Sequence, residues 1–266
     1  MKIAIIGLGN MGKTYLNSFW ATRFFQPEDM LLVVRDLKKY ADQSAWNRFP
    51  MTDQIQANLG EYDLVLIAVK PQDFPALAKQ IQPFIKPQQL IVSVMAGVSL
   101  LQLQEQLQAP KVIRAMPNLP SQLGQGMTVF TASAAIDRKE LFLIQNIINT
   151  TGKSIFVEEE RLVDAATAVS GSGPAYVFFL MQSLIEAAVK LGFKPSEAEL
   201  LVHQTFLGSI QLQNSQSLSL PEWIQKVASK GGTTEQALLV FEKEHTRENL
   251  IKAVEAAYKR ACELGK

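Results

Sequence analysis

Within its first twelve residues the chain runs from a short apolar segment into Gly-x-Gly-x-x-Gly, "KIAIIGLGNMG", with Gly7, Gly9 and Gly12 as the glycines. Few folds accommodate that order. A strand must deliver the first glycine into a tight turn, the second must let a pyrophosphate approach the backbone, and the third must let the next helix press against the strand. The helix entrance, expected near Met11, then offers free amides to an anion. The whole loop, Gly7, Leu8, Gly9, Asn10, Met11 and Gly12, is therefore expected to bind a dinucleotide; a glycine-rich structural turn is the bland alternative. The run lacks a small-residue cleavage site and reads as a strand rather than a signal peptide.

Further apolar runs, "MLLVVR", "DLVLIAV", "QLIVSVM", "KVIRAMP", "MTVFTA" and "SIFVEE", alternate with helical patterns. This order predicts a mostly parallel sheet with crossover helices. The tip of the second run carries Val34, Arg35 and Asp36. Arginine there favours the 2′-phosphate of NADPH, with NADH a weaker alternative, while Asp36 offers a carboxylate to ribose hydroxyls. The later half has only helical starts. Ser219 with Glu222, and Thr233 with Gln236, match capping boxes, and the segment from Leu250 to Leu264 is amphipathic. The predicted architecture is α/β: a Rossmann-type, mostly parallel domain over residues 1–158, followed by an all-helical domain over 159–266.

Composition narrows the partners. A net charge of +1 gives no reason to expect nucleic acid or an acidic membrane surface. Cys262 is the only cysteine, and His203 and His245 are the only histidines, so neither a disulfide nor a metal site is expected and a cytoplasmic setting fits. The most apolar stretch, "PAYVFFLMQSLIEAAVKLG", carries Gln182, Glu186 and Lys190 as one polar stripe and reads as a buried helix of a soluble protein.

Four further stretches, "AVKPQ" at 68–72, "RAMPNLP" at 114–120, "SGSGPAY" at 170–176 and "SKGGTT" at 229–234, make the chain resemble pyrroline-5-carboxylate reductase over essentially its whole length. The resemblance implies a Rossmann domain and a helical domain that interlocks in a homodimer, with dimers assembling into larger rings such as a pentamer of dimers. It implies NADPH-dependent hydride transfer to C5 of 1-pyrroline-5-carboxylate, giving L-proline in the last step of proline biosynthesis. Ala68, Val69, Lys70 and Pro71 end a strand and would line the cofactor groove, although Lys70 reads equally as a solvated loop lysine. Met95, Ala96, Gly97 and Pro117 would surround the nicotinamide, with Asn118 holding its carboxamide, although Met95 and Met116 read as readily as core, since a methionine beside a strand end more often fills core than touches a ligand. "SGSGPAY" is expected to break a helix, with Pro174 in the first turn of the next and the Gly171–Gly173 amides free or capped by Ser170 and Ser172; a packing kink between two helices accounts for most of it, and a direct substrate role is the alternative.

The "GGTT" loop lies far from the glycine-rich nucleotide loop. Amides of Gly231, Gly232, Thr233 and Thr234 at a helix entrance suit an anion. The resemblance makes that anion the substrate carboxylate, places the loop across the dimer from the partner's nicotinamide, and gives Thr234 the imine nitrogen. The competing reading makes Ser229 and both threonines caps only. Two departures from the family pattern are Lys230, where proline is usual, and Leu119, where a small polar residue is common. They motivate one rival, a catalytically silent NADP-binding paralogue acting by association. A second, a β-hydroxyacid dehydrogenase, needs a lysine on the long helix, where Lys190 stands at the wrong end.

Overall fold

The computed structural model describes residues 1–40 and 46–264, apart from the side chain of Ala57. The chain divides into two units, Met1–Ser172 with Ala257–Lys266, and Gly173–Ala256.

The first unit is built on an eight-stranded sheet: β1 (Ile3–Ile6), β2 (Met30–Val33), β3 (Met51–Thr52), β4 (Leu64–Ile67), β5 (Leu90–Ser93), β6 (Val112–Met116), β7 (Gly126–Ala132) and β8 (Gly152–Phe156). Their spatial order is β3-β2-β1-β4-β5-β6-β7-β8, with β6 and β7 the one antiparallel pair. Successive side chains leave a strand on opposite faces. In β1, Ile3 and Ile5 pack with Tyr15, Leu16 and Phe19 of α1 (Asn10–Thr22) and with Ile144 and Ile148 of α4 (Arg138–Asn149). Ala4 and Ile6 pack on the other face with Phe74, Ala78 and Ile81 of α2 (Phe74–Ile81) and Leu103 and Leu107 of α3 (Leu100–Leu107). Because both faces are covered, the central parallel strands β1, β2 and β4 are apolar at every position, as in parallel sheets generally.

The seven apolar runs all form strands. β3, only two residues long, had no such run to announce it, and between β2 and β4 the described residues form short 3₁₀ turns instead of a crossover α-helix. Beyond β8, helical structure runs from α5 (Arg161–Ala166) through a wide π-type turn at Thr167–Gly171 into α6 (Gly173–Lys190). "SGSGPAY" therefore widens the helical run instead of breaking it. The Ser170 and Ser172 hydroxyls donate to the carbonyls of Ala166 and Thr167.

The second unit holds α6, α7 (Pro195–Ser215), α8 (Leu220–Val227), α9 (Thr233–Lys243) and the first part of α10 (Thr246–Leu264). The Ser219–Glu222 capping box forms. The Thr233–Gln236 box does not: Gly232 is the N-cap of α9, and no side chain caps it. The expectation that α6 is a buried helix is also corrected. None of its residues is buried within the chain, and Phe179 is 71% exposed. Leu200, Leu207 and Ile210 of α7 are exposed as well. The run Arg161–Lys190 is long and apolar enough to cross a membrane by length and composition. Periodicity records that a face is apolar but not which chain covers it.

Candidate functional site

β1, β2, β4, β5 and β6 are mutually parallel, so the segments leaving their C-terminal ends share one edge of the sheet. That edge brings together the glycine loop, Arg35, Ala68–Pro71, Met95–Gly97 and Asn118. It is where open α/β sheets bind their ligands.

The three glycines of the loop have separate jobs. Gly7 has φ +94°, a conformation that L side chains rarely adopt, and a Cβ there would lie 2.8 Å from the Ala68 carbonyl oxygen. At Gly12 a Cβ would lie 1.9 Å from the Gly7 carbonyl oxygen, so α1 can only sit this close to the loop without a side chain. At Gly9 a Cβ would meet nothing within 4 Å. No packing demands glycine there; the open space over its backbone fits an approaching phosphate. Gly9 is also the N-cap of α1 and no side chain caps it, leaving first-turn amides for an anion. Below the loop, the buried Tyr40 hydroxyl donates to the Leu8 carbonyl at 3.3 Å and pins the loop from beneath. The residues present therefore fit a dinucleotide cofactor.

Other expected contacts change character. The Asn118 amide group donates to the Ser170 carbonyl at 3.0 Å, and its oxygen accepts from the Met127 amide at 2.9 Å. Both ends of that side chain are thus engaged within the chain. Its carboxamide tethers the loop after β6 and keeps one N–H and one lone pair for a further partner. Met95 is core, 2% exposed. Gly97 has φ +76°, and a Cβ there would lie 2.9 Å from the Leu264 carbonyl. The last turn of α10 packing against it is enough to require glycine there. A cavity of about 460 Å³ opens beside it, lined by Pro71, Phe74, Pro75, Ala96 and Val98 among others. Lys70 is exposed.

Arg35 is exposed and donates from Nη2 to Asp73 Oδ2 at 2.7 Å. Asp36 accepts from the Lys38 amide at 2.9 Å and so closes a local turn. Asp73 was not anticipated; its only trace in the sequence is an acidic residue immediately after "KPQ".

In the second unit, Gly231 has φ +76° and turns the chain into α9. Two of the four amides expected to bind an anion are already engaged. The Gly231 amide donates to Glu235 Oε2 at 2.7 Å, and the Gly232 amide to the Ser229 carbonyl at 3.0 Å. Those of Thr233 and Thr234 open the helix with no side chain capping them. Lys230 is exposed beside them.

An open Gly-x-Gly-x-x-Gly loop on the C-terminal edge of a doubly wound sheet, joined to a helical unit with largely uncovered apolar faces, defines a nicotinamide-dinucleotide oxidoreductase of the kind that oligomerises through helices. Comparison with known proteins narrows the class. Residues 2–97 match the family model "NADP oxidoreductase coenzyme F420-dependent", and residues 160–264 match "Pyrroline-5-carboxylate reductase dimerisation". The pyrroline-5-carboxylate reductase of Pseudomonas aeruginosa is 34% identical over 99% of this chain and 96% of its own length. That of Synechocystis is 35% identical over 100% and 99%. The solved structure of a pyrroline-5-carboxylate reductase from Coxiella burnetii superposes with a TM-score of 0.90 at 32% identity, covering 100% of this chain and 98% of that one. A Plasmodium falciparum pyrroline carboxylate reductase, solved with NADP bound, gives 0.88 at 25%, with the same coverage. The chain belongs to the pyrroline-5-carboxylate reductase family. It is an NAD(P)H-dependent oxidoreductase acting on a cyclic imine, and a homo-oligomer through its helical region.

Proposed function

We propose that the chain reduces 1-pyrroline-5-carboxylate to L-proline with NADPH in preference to NADH, in a cytoplasmic setting. The cofactor supplies a hydride when bound. Residues 1–158 serve it: the Gly7–Gly12 loop takes the pyrophosphate, Arg35 the 2′-phosphate, and Ala68–Pro71 with Met95 and Ala96 flank its path. Residues 159–266 serve oligomerisation and the substrate. A protonated cyclic imine is already a good electrophile, so the chain's task is to orient it and bind its carboxylate, with no histidine or metal required.

The observation that carries the substrate assignment is the uncapped entrance of α9. The amides of Thr233 and Thr234 and the positive end of the helix dipole favour an anion. The chain's own Glu235 carboxylate already accepts the neighbouring Gly231 amide, which supports a carboxylate as the ligand. Thr234 hydrogen-bonds the imine nitrogen, and the resemblance implies that the nicotinamide it serves is held by a second copy.

Imine-dependent oxidation of NADPH tests the reading, and its absence in the full chain would favour a silent paralogue. Thr234→Ala should lower kcat/KM by at least about tenfold, a loss of about 1.4 kcal/mol, with NADPH affinity and melting temperature nearly unchanged because no cap is removed. A variant that melts several degrees lower yet turns over normally would make Thr234 a structural residue.

A second copy, not a lipid bilayer, is the proposed cover of the apolar face of α6. Light scattering at micromolar concentration should give a dimer or a multiple of it, such as a pentamer of dimers, without detergent. A stable monomer would remove the interface.

A further inference from the structure

We propose that Asp73, not Asp36, is the carboxylate that reads the adenosine 2′ position, and that it holds down the preference for NADPH by competing for Arg35. The inference rests on the reading that Arg35 meets the 2′-phosphate. Three observations carry it. First, Asp36, the acidic residue expected to take ribose hydroxyls, is turned away into its own loop, where its Oδ1 accepts the Lys38 amide. Second, Asp73 comes from the turn after β4, which flanks β1 on the side opposite β2 and ends on the same edge of the sheet, and its Oδ2 meets Arg35 Nη2 at 2.7 Å. Third, Asp73 stands before α2 with helical backbone angles, φ −86° and ψ −14°, and with Pro75 in the first turn, so its side chain makes no capping bond and is left available to Arg35. The carboxylate is directed across the groove instead of into its own helix.

The consequences follow from charge. With a 2′-hydroxyl in the groove, a carboxylate paired to Arg35 can accept a hydrogen bond from the hydroxyl while the guanidinium stays neutralised. With a 2′-phosphate, the guanidinium is shared between two anions, and the two anions repel each other. The Arg35 side chain is 84% exposed, so the pair with Asp73 is weak enough to be rearranged by a ligand. Asp73 therefore narrows the margin between the two cofactors, and a neutral side chain of the same shape widens it.

The test uses the full chain and two adenine nucleotides without nicotinamide, adenosine 2′,5′-bisphosphate and adenosine 5′-monophosphate, titrated calorimetrically. Asp73→Asn keeps the shape and suits an N-cap. It should raise the preference for the 2′-phosphorylated nucleotide at least about threefold, from tighter binding of the bisphosphate, as expected when one exposed charge is removed beside another. A smaller rise, no change, or a fall would overturn the inference, a fall meaning that Asp73 merely orients Arg35. Asp73→Ser repeats the measurement should the asparagine variant fold poorly. Arg35→Ala separates the two ideas. If it leaves the preference intact, the 2′-phosphate reading itself fails; if it abolishes the preference while Asp73→Asn changes nothing, only the role of Asp73 falls.

Discussion

Replacing Arg114 with methionine is expected to destabilise the chain by about 3 kcal/mol. Arg114 lies in the middle of β6 with its side chain 4% exposed. It donates from Nη1 to Glu160 Oε1 at 2.9 Å and from Nη2 to Asp164, so one guanidinium ties the sheet to α5. Glu160 Oε1 also accepts the Leu100 amide at 2.8 Å, which extends the tie to the start of α3. Removing the cation leaves two carboxylates partly buried and facing each other without a counter-charge. That loss, more than any net attraction, makes breaking a buried ion network expensive. Glu160 and Asp164 keep some contact with water, 31% and 18% exposed, which holds the figure near the lower end of the usual range. At fixed protein concentration the melting temperature should fall by roughly 6–12 °C. The triple variant Arg114→Met, Glu160→Gln, Asp164→Asn should recover more than half of that, since no uncompensated charge remains. A single variant within 2 °C of the parent would show the network to be dispensable.

The same arginine illustrates what could be read from the residues alone. It begins the motif "RAMPNLP", and a lone cation inside an apolar strand signals a buried partner. Its partners lie 46 and 50 residues away, however, beyond the reach of any local pattern. The central strands were legible because a sheet covered on both faces needs an unbroken apolar run for each, as β1, β2 and β4 have, and β3 escaped because two residues cannot make one. The glycine loop was legible because its sterics permit no substitute at Gly7 and Gly12. The capping box at Thr233 misled for a related reason. Thr-x-x-Gln fits the pattern, but Gly231 at φ +76° ends the preceding turn so that Gly232 takes the N-cap. The threonines fall one and two places inside the helix. Asn118 and Gly97 were rightly placed at strand ends, yet whether such a residue faces a ligand or its own chain depends on Ser170 and on Leu264, both distant in sequence.

Within the glycine loop, Gly9→Ala and Gly12→Ala should fail in different ways, and the contrast tests whether the loop is shaped for a phosphate or merely for a turn. At Gly9 the backbone is already at φ −73°, accessible to alanine, and a methyl group meets nothing within 4 Å. Folding is therefore unharmed, and fewer conformations of the unfolded chain should leave the melting temperature equal or slightly higher. The methyl does, however, stand where a pyrophosphate must approach the first-turn amides of α1. NADPH affinity should drop at least about a hundredfold, near 2.7 kcal/mol. At Gly12 the same methyl would lie 1.9 Å from the Gly7 carbonyl oxygen, a backbone atom held in place because the Gly7 amide bonds the Val33 carbonyl at 2.9 Å. Helix α1 must then move off β1, so cofactor affinity and melting temperature should fall together. Calorimetric titration with NADPH and thermal unfolding of the same two variants decide the matter. If Gly9→Ala binds NADPH as the parent does, the open space over Gly9 is not the phosphate site, and the glycine there has no role that the fold or the cofactor requires.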